Sequence, residues 1–217
     1  MGVKVVNVKK DILSANDEKA KTNRALLDKH HNILINIMSS PGAGKTSLIM
    51  QTIKRLKKKI HIAVIEGDIA STIDADKINK QDIPAIQINT GGACHLDANM
   101  IEKALDKLDL EQAELVIIEN VGNLVCPAEF ALGAHKNVML LSIPEGDDKP
   151  NKYPLMFTKA DVVLVNKIDV LPHFDFDVKA FSEAVNGLNP SAKILTVSAK
   201  TGEGLEQWFS WLEEALK

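Results

Sequence analysis

The chain has 217 residues, 45% hydrophobic and 25% charged, with a formal net charge of -3, an ordinary profile for a soluble globular protein able to bury a full core. The weak negative charge gives no reason to expect nucleic acid or an anionic membrane as partner. With no apolar run near the roughly 18 residues of a membrane span and no secretory leader at Met1, the expected location is cytoplasmic.

In chain order, residues 14–31 carry Ala20, Asn23, Leu26 and Leu27 at helical spacing behind a polar capping residue, which predicts an amphipathic helix. Short β-rich runs then alternate with helical patterns, the strands expected at 33–38, 60–66, 83–88, 115–119, 138–143, 162–166 and 194–198. Strands apolar on both faces in such alternation predict an α/β fold: a mostly parallel, roughly seven-stranded sheet with helices on both faces. No repeat or linker divides the chain, so residues 1–217 read as one P-loop domain with 1–31 as an N-terminal helical extension. The basic run Lys54-Arg55-Leu56-Lys57-Lys58-Lys59 closes the helix after the first strand, where cations suit the negative end of its dipole.

Between the first strand and that helix, expected to begin at Ser47, stands Ser39-Ser40-Pro41-Gly42-Ala43-Gly44-Lys45-Thr46. Strand, glycine-rich loop and helix is the order a P-loop needs if backbone N–H groups and the helix N-terminus are to hold phosphates. Gly42, Ala43, Gly44, Lys45, Thr46 and Ser47 form the expected nucleotide-binding set, with Lys45 reaching the β- and γ-phosphates and Thr46 ligating magnesium. Ser39 stands where the usual pattern has glycine. Asn166-Lys167-Ile168-Asp169 follows the sixth strand and Ser198-Ala199-Lys200 the seventh. A carboxylate at Asp169 accepts from guanine N1–H and N2–H2, a donor pair adenine lacks, so the expected nucleotide is GTP or GDP rather than ATP. Lys167 packs along the base and Asn166 braces the loop.

Asp68 ends the second strand and Glu119 the fourth, the number of carboxylates a magnesium ion takes beside phosphates. Here the chain resembles nucleotide-hydrolysing dimeric P-loop proteins whose site is completed across a subunit interface. That likeness implies that Asp68 helps hold magnesium and orients the attacking water, while Glu119 with Gly122 senses the γ-phosphate. Glu66 reads more simply as a strand-end polar residue. Only two arginines occur, Arg24 and Arg55, so lysine rather than an internal arginine finger must neutralise transition-state charge.

The two cysteines are poor candidates for a structural disulfide in a cytosolic chain. Cys94-His95 and Cys126 sit in the loops after the third and fourth strands, facing the edge where nucleotide binds. Three such ligands are too few for a closed zinc site, but doubling them across a two-fold axis gives enough, and thiolate with imidazole accommodates zinc or nickel.

Over nearly its whole length the chain resembles the HypB family, GTPases that insert nickel during maturation of nickel-iron hydrogenase. The likeness is carried by SSPGAGKT (39–46), EGD (66–68), TGGACHLDA (90–98), ENVGNLVCPAEF (119–130), EGDDKPNKYP (145–154), NKID (166–169) and SAKTGEG (198–204), and SSPG at the loop start is a trait of that family. It implies a slow GTPase that forms a GTP-dependent homodimer, with Cys94, His95 and Cys126 as nickel or zinc ligands near the interface. It also implies a zinc-binding accessory protein, HypA, and a hydrogenase large-subunit precursor as partners, and a reach of Lys152 to the partner's nucleotide. The N-terminal cysteine motif and histidine-rich tract of some members are absent: the first cysteine is Cys94 and His30-His31 is only a pair. Rival readings are a GTPase chaperone for urease or a cobalamin enzyme, a P-loop small-molecule kinase, and a zinc-stabilised module that dimerises with nucleotide. The chain lacks the Cys-Pro-His arrangement of the urease chaperone.

Overall fold

A computed structural model describes residues 8–68 and 73–217. Residues 1–7 of the expected extension, and the segment 69–72 after Asp68, lie outside them. Seven strands, β1 (Ile33–Ser39), β2 (Ile62–Asp68), β3 (Ala85–Asn89), β4 (Leu115–Glu119), β5 (Lys136–Ser142), β6 (Val162–Asn166) and β7 (Lys193–Thr196), form one sheet. Its order is β3-β2-β4-β1-β5-β6-β7 and every neighbouring pair is parallel. The expected parallel α/β sheet is therefore present, with all seven strands where the apolar runs place them to within about two residues.

The helices are α1 (Val8–Lys29), α2 (Lys45–Leu56), α3 (Ile73–Asn79), α4 (Ala98–Leu105), α5 (Cys126–Glu129), α6 (Lys149–Lys152), α7 (Pro154–Thr158), α8 (Val178–Leu188) and α9 (Leu205–Ala215). Alternation along each strand sends Ile35, Ile37, Val64 and Ile117 to one face, against Leu48, Ile49 and Ile53 of α2 and Trp208 and Leu212 of α9. On the other face Leu34, Ile65, Val116 and Ile118 meet Leu27 of α1 and Ile101 and Leu105 of α4, and Met139, Leu141, Val163 and Val165 meet Phe157 of α7 and Phe181 of α8. Side chains that alternate between two covered faces explain why the strands read as unbroken apolar runs. No helix among the described residues is long and apolar enough to cross a membrane.

Two helix boundaries differ from expectation. Helix α1 begins at Val8 rather than residue 14, since nothing in Lys9-Lys10-Asp11-Ile12-Leu13 breaks a helix, and it ends at Lys29 as His31 turns to φ 58°. Helix α2 begins at Lys45 rather than Ser47 because Gly44, at φ 105°, already serves as its N-cap. The basic end of α2 is answered by α9: Arg55 meets Glu206 at 3.1 Å and Lys59 meets Glu213 at 2.9 Å.

Helix α1 is pinned beside β1 by a histidine. The Leu34 N–H donates to His135 Nδ1 at 3.0 Å, so the ring is neutral with its proton on Nε2, which donates to Asp28 Oδ1 at 2.8 Å. Burial, opposed by the Asp28 carboxylate, holds the His135 pKa below the usual histidine value. A depressed histidine pKa means the folded chain binds protons less readily than the unfolded one, so stability falls as pH drops below about 6.5. Urea unfolding at pH 7.5 and 5.5 should show this loss in the wild type. It should be smaller in His135→Asn, whose amide oxygen can accept from Leu34 without titrating; an equal loss in both would place the sensitivity elsewhere.

Candidate functional site

The centre of the sheet sets the site. Strand β1 leads to β2 on one side of the sheet while its neighbour β5 leads to β6 on the other, the switch point at which parallel α/β sheets bind ligands beyond the strand ends. The P-loop turns here through Gly42 at φ 75° and Gly44 at φ 105°. A Cβ on Gly44 would lie 2.5 Å from Asn166 Nδ2, so position 44 tolerates no side chain. Lys45 is buried and donates from Nζ to Ser39 Oγ at 3.0 Å. The serine that departs from the usual loop pattern thus supplies a hydroxyl for the lysine that phosphates would otherwise hold. Thr46 Oγ1 donates to Glu119 Oε1 at 3.0 Å.

A cleft of about 550 Å³ opens over this loop. Among the expected residues it gathers Gly42, Gly44, Lys45, Thr46, Ser47, Asp68, Glu119 and Gly122. Ala43 is not among them; its side chain is fully buried in the core, so only its backbone faces the loop. Glu66, read from sequence as a strand-end polar residue, also lines the cleft, as do Lys77 of α3, Gln87 of β3 and Asn120, which sequence reasoning missed. Lys77 and Gln87 belong to no motif; Asn120 lay inside the ENVGN run without a role assigned. A Cβ on Gly122 would fall 2.9 Å from the N and Cα of Pro41, so the loop after β4 bears directly on the P-loop.

Asn166, Lys167, Asp169, Ser198, Ala199 and Lys200 lie outside that cleft, and four hydrogen bonds join members of this set to the P-loop and to one another. Asn166 donates to Ala43 O at 2.8 Å and accepts from the Ala199 N–H at 3.0 Å. Lys167, held at φ 62°, donates from Nζ to Gly42 O at 2.7 Å. A left-handed conformation in a lysine is uncommon and marks a position where the local structure overrides backbone preference. Ser198 Oγ donates to Asp169 Oδ1 at 2.6 Å and accepts from the Thr201 N–H; Lys200 is exposed.

Cys94, His95 and Cys126 converge, their ligand atoms all within 4.8 Å of one another. Cys94 Sγ donates to Cys126 Sγ at 2.9 Å and lies 3.8 Å from His95 Nδ1. The imidazole stacks on Phe130 with ring centres 3.8 Å apart, which limits its rotation. The hydrogen bond with Cys94, then burial, pushes the Cys126 thiol up, and burial holds His95 below its usual value against the charges of Asp97 and Glu129. A neutral imidazole between two thiols is a donor set that takes a thiophilic divalent ion once the thiol protons leave. Lys152 is exposed and pairs with Asp148, as does Lys149; the Lys149 and Lys152 bonds bring the Asp148 carboxyl down to about 2.

The Cys94, His95 and Cys126 cluster adjoins the nucleotide cleft. Leu96, next to His95, packs so closely on Gly67 that a Cβ there would lie 2.7 Å from its Cδ1, and the Leu96 N–H donates to Asn120 Oδ1 at 3.4 Å. Fold and cleft define a P-loop nucleotide-binding protein with a thiol and imidazole cluster at its switch loops. Residues 33–196 match the CobW/HypB/UreG nucleotide-binding domain family. The chain is 48% identical over 210 residues to the hydrogenase maturation factor HypB of Azotobacter vinelandii, covering 97% of this chain and 69% of that protein. It is 44% identical to the hydrogenase/urease maturation factor HypB of Helicobacter pylori, covering 97% and 88%. The solved structure of HypB from Helicobacter pylori in complex with nickel superposes with a TM-score of 0.89 at 43% identity, over 93% of this chain and 95% of that one. The chain belongs to the HypB family.

Proposed function

We propose that this protein is a GTP-hydrolysing metallochaperone that delivers nickel during maturation of nickel-iron hydrogenase, with GTP-dependent dimerisation coupled to metal binding or release. The observation that carries the reading is the contact between the two sites: Leu96 joins the Cys94-His95 loop both to Gly67, beside Asp68, and to Asn120, beside Glu119.

Lys45 holds the β- and γ-phosphates and Asp169 reads guanine. Thr46, Asp68 and Glu119 would hold magnesium, which neutralises phosphate charge when bound; the 3.0 Å contact between Thr46 Oγ1 and Glu119 Oε1 fits these oxygens to a shared cation. Asp68 orients the attacking water. Glu119 and Gly122 sense the γ-phosphate, since any shift at Gly122 presses on Pro41. A change at these strand ends passes to Leu96 and so to His95, and through the loop of residues 120–125 to Cys126, altering how nickel or zinc is held.

Val125, beside Cys126, is 49% exposed. That suits a homodimer in which this face meets a second copy and two ligand sets share the metal. Lys152 would reach the partner's nucleotide on leaving Asp148. The accessory protein HypA and a hydrogenase large-subunit precursor are the proposed partners, in the cytoplasm. The Helicobacter pylori relative, a hydrogenase/urease maturation factor, favours a second reading, in which the same protein also serves urease.

The test is nickel affinity, by competition with a chromogenic chelator, with GDP and with a non-hydrolysable GTP analogue. Nickel affinity should change with the nucleotide, and Cys94→Ala should lower it by about 100-fold. It should also rise between pH 6.5 and 8.5, because the upshifted Cys126 thiol must lose its proton to bind. An affinity indifferent to both Cys94 and nucleotide would leave a GTPase with structural cysteines.

A further inference from the structure

The loops that carry the metal ligands leave strands that are not neighbours: Cys94 and His95 follow β3, Cys126 follows β4, and β2 lies between them. Adjacent strands are about 4.8 Å apart, so the roots of the two loops stand about 10 Å from each other, and no ladder bond sets their relative position. Helix α1 does connect them. Asn16 Oδ1 accepts from the Ala98 N–H at 2.9 Å while its Nδ2 donates to Ala131 O at 2.8 Å. Two turns on, Asn23 Nδ2 donates to Ala98 O at 2.8 Å and to Leu132 O at 3.3 Å.

Ala98 is three residues past His95, and Ala131 is five past Cys126. Both amides are nearly fully buried, Asn16 at 4% and Asn23 at 1% exposure. Seven residues apart, they lie on one face of the helix. The helix is held against both segments elsewhere: Lys19 meets Glu102 of α4 at 2.8 Å, Arg24 Nη1 donates to Ala134 O at 2.9 Å, and a Cβ on Gly133 would lie 2.7 Å from Ala20 O.

Two buried asparagines on an N-terminal helix, each bonded to both loops, exceed what docking of that helix needs, since Leu27 and Ala20 already bury its apolar side. Resting on the reading of Cys94, His95 and Cys126 as the metal site, we infer that α1 is its positioning element, with Asn16 and Asn23 clasping the two ligand-bearing loops together. Movement of α1 along its axis would part the thiols.

The experiment uses the full chain with Asn16→Ala, Asn16→Asp and Asn23→Ala. Asn16→Asp keeps the acceptor for the Ala98 N–H and sets an oxygen in place of the donor against the Ala131 carbonyl, so it opposes the bridge on the Ala131 side. Asn189→Ala is the control, since Asn189 is a buried amide that donates to Phe157 O, Thr158 O and Ala160 O and not to the segments that Asn16 and Asn23 bridge. Thiol proximity in metal-free protein is read by dibromobimane, which fluoresces on bridging two cysteines. Nickel affinity, GTP-analogue affinity and the thermal midpoint are measured beside it.

The clasp predicts slower bimane bridging and about tenfold weaker nickel binding in both Asn16 variants and in Asn23→Ala, with GTP-analogue affinity changing less than nickel affinity and Asn189→Ala lowering only the midpoint. Bridging and nickel affinity at wild-type levels in the Asn16 variants would overturn it, as would equal losses in Asn189→Ala. If wild-type protein binds no nickel, the metal reading fails, and the bimane rates alone decide whether α1 sets the thiol geometry.

Discussion

Replacing Asp169 by asparagine is expected to lower GTP affinity by about 10³- to 10⁴-fold and to move the preference to xanthosine triphosphate, because a site built around polar partners rejects a ligand that leaves them mismatched. Guanine offers N1–H and N2–H2 to the carboxylate, and an amide NH2 in its place meets donor with donor. Xanthine presents a carbonyl at that corner and restores the pairing. The surroundings keep the exchange local: the Ser198 hydroxyl, held by the Thr201 N–H, donates to Oδ1 at 2.6 Å, and an asparagine oxygen accepts it equally well. Titration with fluorescent GTP and XTP analogues measures both halves. A GTP affinity within threefold of wild type would remove Asp169 from base recognition.

Lys45→Ala is expected to reduce GTP turnover by about 10²- to 10³-fold, about 3–4 kcal/mol of transition-state stabilisation, while leaving nickel affinity without nucleotide within about twofold. The two effects separate because Lys45 Nζ rests on Ser39 Oγ and not on the metal loops. The Ser39 hydroxyl still has its bond to Ser40 O at 2.7 Å once the lysine is gone, so the loop keeps its path. The two arginines of the chain are both paired with acids on the helical layers, so neither stands ready to substitute. Phosphate release under single-turnover conditions, with chelator competition for nickel, reads both. Turnover above a tenth of wild type would mean that another group carries the phosphate charge.

Much of this was legible in the chain because the signals are local. A strand buried on both faces must be apolar throughout, so seven apolar runs mark seven parallel strands, and the P-loop and the proposed base-recognition loops show themselves by glycine, lysine and aspartate at short fixed spacing. Boundaries were less legible: α2 starts at Lys45 because Gly44 adopts φ 105°, a backbone choice that no periodicity records. Roles outside motifs were also hidden, since Lys77, Gln87 and Asn120 reach the cleft only through the strand order.

The sequence by itself determined the sheet and the phosphate loop, and the candidacy of Asp169 for guanine and of Cys94, His95 and Cys126 for a metal. Only the tertiary structure decided that the two thiols stand 2.9 Å apart, that Ser39 holds Lys45, and that Asn16 and Asn23 bridge Ala98 to residues 131 and 132. For the thiols and the asparagines the physical reason is separation along the chain. Those contacts span 32 residues between the cysteines and 75 to 115 from α1 to the loops, and they depend on β2 being inserted between β3 and β4, which residue spacing does not encode.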